Sequence, residues 1–250
     1  MYEAIEEGRI VPFYAEKPAG KTVLVLSPHP DDETLGCGAT INMLKSQGSE
    51  VTVIFLTSGD KAEPKHELSS ITYDDSHVSA YSYLREKEAI MAMKVLGIDK
   101  YRFLRYPDRG LLGHKEAIFD DLSLIIGAFD VLYCPSCIEL NPDHRVTAMI
   151  AMKLQKEYGF SLFFYEVTVP FRPNCLVDIT AVAKTKWKAM KAYKSQLRVG
   201  NYLDIVMSLN RFRTLTLGKS CKYAEAFIEV REKEQEMLPE WLSYKKEFNQ

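Results

Sequence analysis

The sequence predicts an α/β fold: a doubly wound, mostly parallel, Rossmann-like sheet flanked by helices, with a strand and a helix added at its C-terminal end. Three observations point there. Short apolar, β-branched runs typical of buried parallel strands recur, beginning with TVLVLS at 22–27 and VTVIFLT at 51–57. Helical stretches alternate with them. The first strand also passes into its helix through a short polar turn, the opening of a strand–helix–strand unit.

The elements follow in order. Residues 1–20, ending Lys-Pro-Ala-Gly, read as an extension before one domain that takes up the 250 residues. After the strand at 22–27, ETLGCGATINMLKSQG carries Leu35, Ala39 and Met43 at four-residue spacing, with Gly48 as its stop. The strand 51–57 leads into a polar loop, 58–79, long enough to suggest a functional role. A helix over 80–96 closes at Gly97, and a short strand is expected near 101–104. YPDRGLLG (106–113) reads as a turn, followed by a helix at 115–127, a strand at 130–134 and a helix at 143–158. Strands at 160–167 and 176–180 come next, then a helix at 181–194, an edge strand at 226–230 and a charged terminal helix.

Composition narrows the function. A net charge of −2 advertises neither nucleic acid nor an anionic membrane as partner. No stretch approaches the roughly 20 apolar residues of a membrane span. The start, MYEAIEEGRIVPFY, is acidic and lacks the regions of a signal peptide. The five cysteines are odd in number and scattered, which suits a reducing cytoplasm. Cys134 and Cys137 form a C-x-x-C without a following redox helix or a second pair, so packing is the expected role. The sequence leaves open whether identical chains assemble.

The chemistry concentrates in Ser27-Pro28-His29-Pro30-Asp31-Asp32-Glu33, at the carboxyl edge of the first strand, where parallel sheets bind ligands. His29 and Asp32, three apart, aim at one point from a tight loop, and imidazole and carboxylate are suitable zinc ligands. Asp31 would then point elsewhere as a free general base. The competing reading is a helix cap, with Asp31 or Asp32 serving backbone donors and Glu33 facing the positive end of the helix dipole. A cap explains one aspartate but not a histidine between two prolines. A catalytic zinc needs a third protein ligand, and His144 lies just past the strand 130–134, again on the carboxyl edge. His66, His77 and His114 fall in polar loops or at a helix start, where solvation is the default.

The segment LSPHPDDETLGCGATI resembles the signature of the PIG-L/LmbE-like N-deacetylase family, and NPDHR resembles its second motif. Arg85-Glu86-Lys87-Glu88 with AIMAMKVLGI is similar to the family's R-x-x-E helix and its Leu-Gly ending. YPDRGL resembles its P-D-x-x-L turn, Lys194-Ser195-Gln196 its Ser-Gln pair, and Tyr223-Ala224-Glu225-Ala226-Phe227 its A-E-x-F. The matches run in order over residues 22–230.

The resemblance implies a zinc-dependent hydrolase that removes an N-acetyl or other N-acyl group from an N-acetylglucosamine-type amide by an activated water. His29, Asp32 and His144 would be ligands and Asp31 the base. Arg85 and Asp108 fall where the family places groups that bind substrate or orient the site. Another divalent ion such as Fe2+ would also suit such a site. One departure stands out: the family's second motif commonly begins with histidine, and here it is Asn141. An amide can donate to a developing oxyanion, worth about 3 kcal/mol, but cannot deliver a proton near neutral pH. Asp31, His77 or Tyr165 would then return the proton to the leaving amine. The rival readings are a zinc amidase acting on a thiol conjugate and a non-catalytic sugar-binding domain.

Overall fold

The computed structural model describes residues 12–62, 72–73 and 78–231. His66, His77 and the expected terminal helix lie outside those residues. The strands are β1 (Thr22–Ser27), β2 (Glu50–Thr57), β3 (Thr72–Tyr73), β4 (Val78–Ser79), β5 (Lys100–Tyr106), β6 (Val131–Pro135), β7 (Ser161–Tyr165), β8 (Cys175–Asp178) and β9 (Ala224–Glu229). The helices are α1 (Asp32–Ser46), α2 (Ala80–Leu96), α3 (Lys115–Ile126), α4 (Pro142–Tyr158), α5 (Ala183–Met190), α6 (Lys194–Leu197) and α7 (Tyr202–Phe212).

Seven strands form one sheet in the order β5-β2-β1-β6-β7-β9-β8, while β3 and β4 make a small separate hairpin. The pairs from β5 to β7 are parallel, and β9 runs antiparallel to both β7 and β8. Alternate residues of each strand enter different cores, as the two-residue period of a strand requires. Val23 and Val25 join Val53, Ile41 and Leu44 on one face. Leu24 and Leu26 join Ile54, Ile118 and Ile150 on the other. The helix ends follow local chemistry. Ser79 accepts from the Ser82 N–H at the start of α2, and Gly97 closes that helix in the left-handed region at φ 76°.

Two expectations are corrected. The strand near 226–230 is not an edge: β9 lies between β7 and β8, with Ala226 opposite Leu176 and Phe227 opposite both Tyr165 and Cys175. The edge belongs to β8, where the extension adds a bridge between Glu16 and Val177. The helix expected over 181–194 stops at Met190 and restarts as α6 at Lys194. Buried Tyr193 occupies the break and turns its hydroxyl onto Glu33, 2.5 Å away. That buried hydrogen bond outweighs continued helix.

The chain leaves β1 toward β2 and β5, then returns across the sheet to β6 and β7. The strand order therefore switches between β1 and β6, and the crevice beyond their carboxyl ends is where this architecture places a ligand. Among the described residues, no helix is long and apolar enough to cross a membrane.

Candidate metal centre and active site

Two loops meet in that crevice. The first, 28–31, leaves β1 and is pinned at Pro28, whose carbonyl accepts from both the backbone N–H (3.0 Å) and the hydroxyl (2.8 Å) of Thr57. The second leaves β6 and enters α4, with Asn141 capping the Asp143 N–H at 2.9 Å and Pro142 in the first turn.

They bring three ligand atoms together. His29 Nδ1 lies 3.1 Å from Asp32 Oδ2, and His144 Nε2 lies 3.1 Å from the same oxygen. The two imidazole nitrogens are 3.3 Å apart. Ligands about 2.0–2.1 Å from a tetrahedrally held zinc lie roughly 3.3 Å from one another, so this triangle fits such an ion. All three residues are buried. Burial pushes the Asp32 carboxyl up, but His144 and His29 outweigh it and hold the group well below the usual carboxylate range. Burial works against charging His144, yet Asp32 draws its imidazole up to about 9. The cage favours positive charge, which bound protons or a cation can supply.

Carboxylates face the outer nitrogen of each imidazole. His29 Nε2 lies 3.2 Å from Asp108 Oδ1 and 3.4 Å from Asp143 Oδ2. Asp143 also takes the Arg109 N–H at 2.6 Å, and Asp108 takes the Lys61 N–H at 2.9 Å. His144 Nδ1 faces Glu139 Oε2 at 3.8 Å, and Glu139 is itself held by the Val167 and Thr168 N–H groups.

Asp31 occupies an unusual place. Its backbone has φ 127° and ψ −30°, a region that costs a non-glycine residue on the order of 1–3 kcal/mol. It precedes α1, but its side chain makes no capping bond. The carboxylate instead faces Arg85, Nη2 to Oδ2 at 3.3 Å. Arg85 is buried, donates to the Gly59 carbonyl at 2.8 Å and also reaches the Pro30 carbonyl. Burial lifts the Asp31 carboxyl to about 7, against the pull of Arg85. A carboxylate so poised suits proton transfer near neutrality.

Residues 24–155 match the PIG-L family, described as GlcNAc-PI de-N-acetylase. The chain belongs to the PIG-L family. It is accordingly an amide hydrolase of the deacetylase type, from a metal-dependent group. A diacetylchitobiose deacetylase of Thermococcus kodakarensis is 26% identical over 200 residues, covering 70% of each chain. A 1D-myo-inositol 2-acetamido-2-deoxy-alpha-D-glucopyranoside deacetylase of Saccharomonospora viridis is 26% identical over 233 residues, covering 71% of this chain and 86% of its own. The structure of N,N'-diacetylchitobiose deacetylase from Pyrococcus horikoshii, complexed with its inhibitor MPG, superposes with a TM-score of 0.71 at 25% identity, over 86% of both chains.

In this PIG-L chain, His29, Asp31, Asp32, Arg85, Asp108, Asn141 and His144 all border one cleft of about 170 Å³. Tyr165 does not. It is fully buried and donates to the Leu26 carbonyl at 2.8 Å, which removes it as a proton donor to the amine. His114 is exposed, with Nδ1 on the Gly110 carbonyl at 3.0 Å. Cys134 and Cys137 are free thiols in the core. Sequence reasoning missed Asp143 and Glu139. Asp143 stands inside the second motif, beside a named ligand, and that adjacency was its signal. Glu139 is a lone acid in a loop, and nothing in its spacing marks it.

Proposed function

We propose that this chain is a zinc-dependent N-deacetylase acting on an N-acetylglucosamine-type sugar or glycoconjugate, with His29, Asp32 and His144 as the metal ligands. The observation that carries the proposal is the triangle of three buried ligand atoms with a partly neutralised carboxylate, Asp31, beside it in the same cleft. The sugar amides named for the two relatives support the substrate class.

A zinc ion in the cage supplies Lewis acidity, making a water acidic and an amide carbonyl electrophilic. Ferrous iron is the alternative ion for the same ligands. Asp31 takes a proton from the attacking water, with Arg85 holding its free oxygen in place. Asp108 and Asp143 orient His29, and Glu139 orients His144. Asn141 uses Oδ1 as the cap of α4, which leaves Nδ2 to donate to the carbonyl oxygen as it gains charge. Asp31 returns its proton to the amine, since Asn141 has none to give.

The test is an amine-release assay on zinc-loaded enzyme with a panel of N-acetylated amino sugars, disaccharides and N-acylated thiol conjugates. Release from the sugars alone supports the proposal. Release from the thiol conjugates alone makes the chain a different amidase. Zinc binding with no release from any member of the panel makes it a binding domain.

A further inference from the structure

We infer that Glu225 and Lys186 are positioning residues for the metal centre: their buried ion pair holds α1 in the broken form that aims Asp32 into the cage. The inference rests on His29, Asp32 and His144 being the metal ligands.

The helix α1 is not continuous. Cys37, in its middle, has φ −133° and ψ 17°, outside helical values. In a straight α-helix the N–H groups of Ala39 and Thr40 would bond the carbonyls of Leu35 and Gly36. Here they are given to β9. Ala39 N donates to Glu225 Oε1 at 3.0 Å, and Thr40 N donates to Oε2 at 2.8 Å. Lys186 Nζ, from α5, completes the group at 2.6 Å from Oε1. Both charged side chains are fully buried, 0% exposed. A side chain inserted into the helical ladder is a recognised cause of a kink.

The break has a direction. The part of α1 after Cys37 is fixed in the core by Ala39, Ile41 and Leu44. The part before it carries Asp32, and its Leu35 both joins that core and borders the cleft. At Gly36 the helix backbone closes on the Tyr165 ring: a Cβ there would meet Tyr165 Cδ2 at 2.1 Å. The Tyr165 hydroxyl is tied to the end of β1. The pair at Glu225 and Lys186 therefore sets the angle between a fixed rod and the turn that presents a metal ligand. Simple stabilisation is the weaker account, because a buried ion pair often gains no net stability over apolar replacements.

The experiment compares zinc affinity, by competition with a chelator, and steady-state kinetics in the 250-residue chain. The variants are Lys186→Met/Glu225→Gln, which removes both charges together, and Glu225→Asp, which keeps the charge but withdraws the carboxylate from the two N–H groups. Each is expected to weaken zinc binding about tenfold or more, the range seen when outer groups that orient ligands are lost. In each, kcat should fall while KM stays within about twofold of wild type, because the substrate groups are untouched. Leu122→Ala, on α3 in the core of the opposite face of the sheet, is the destabilised control and should lower Tm with zinc affinity unchanged. Should the double variant fail to fold, Glu225→Asp decides alone. Folded variants with wild-type zinc affinity and kcat, or an equal loss in the control, overturn the inference. Wild-type protein that binds no metal overturns the ligand assignment first, and the inference with it.

Discussion

His29 Nδ1 and His144 Nε2 lie 3.3 Å apart although 115 residues separate them in the chain. Their meeting follows from the pairing of β1 with β6, where Val23 sits opposite Val131 and the two strands end at one crevice. Each imidazole is also backed by acid, His144 by Glu139 and His29 by Asp108 and Asp143. Such outer groups typically account for 10- to 100-fold in metal affinity. Glu139→Gln is therefore expected to weaken zinc binding by about that range. Dialysis against graded chelator measures it, and unchanged affinity would remove Glu139 from the site.

The proposed function makes Asp31 the base and not a metal ligand. Asp31→Asn should keep a full complement of zinc and lower kcat by about 10²- to 10⁴-fold, the usual worth of a positioned base. Zinc content and turnover on one preparation check both halves. Backbone strain gives a second outcome at this position. Asp31→Gly should be more stable to urea than Asp31→Asn by about 1 kcal/mol, because φ 127° suits glycine.

Asn141 caps α4, and a pair of substitutions separates that role from the oxyanion contact proposed for it. Asn141→Asp keeps an acceptor for the Asp143 N–H and so keeps the cap, but loses the donor that faces the reacting oxygen. Stability should stay within about 0.5 kcal/mol of wild type, while kcat falls by about 10²- to 10³-fold. Asn141→Ala loses both, with about 1 kcal/mol of stability as well. Equal turnover in wild type and Asn141→Asp would confine Asn141 to capping.

The contact between Gly36 and Tyr165 predicts a cost in packing. Gly36→Ala places a methyl 2.1 Å from a ring carbon that the buried core cannot release. Denaturant unfolding should show a loss of about 1–3 kcal/mol, the range for overpacking. An unchanged midpoint would mean that α1 shifts freely over β7.

The parallel half of the fold and the proposed ligands of the first loop were legible because their signals are local. Val23 to Leu26 announce a strand buried on both faces, and Pro28 to Asp32 pack the ligand types into one turn. What escaped depends on partners far along the chain. The place of β9 inside the sheet is decided by β8 on its outer side, and the split of 181–194 by the bond from Tyr193 to Glu33. The kink of α1 is invisible in its own sequence, since its cause is Glu225. Asp143 escaped for a different reason: its contact with His29 exists only because β1 and β6 align.

In the proposed centre, His29, Asp32 and His144 together hold one catalytic metal ion. Elemental analysis of zinc per chain in wild type and His144→Ala, after both are loaded and desalted side by side, tests it most directly. About one zinc per chain is expected in wild type and almost none in the variant, as for a three-ligand catalytic site that loses a ligand. Full zinc occupancy in a folded His144→Ala protein would contradict it.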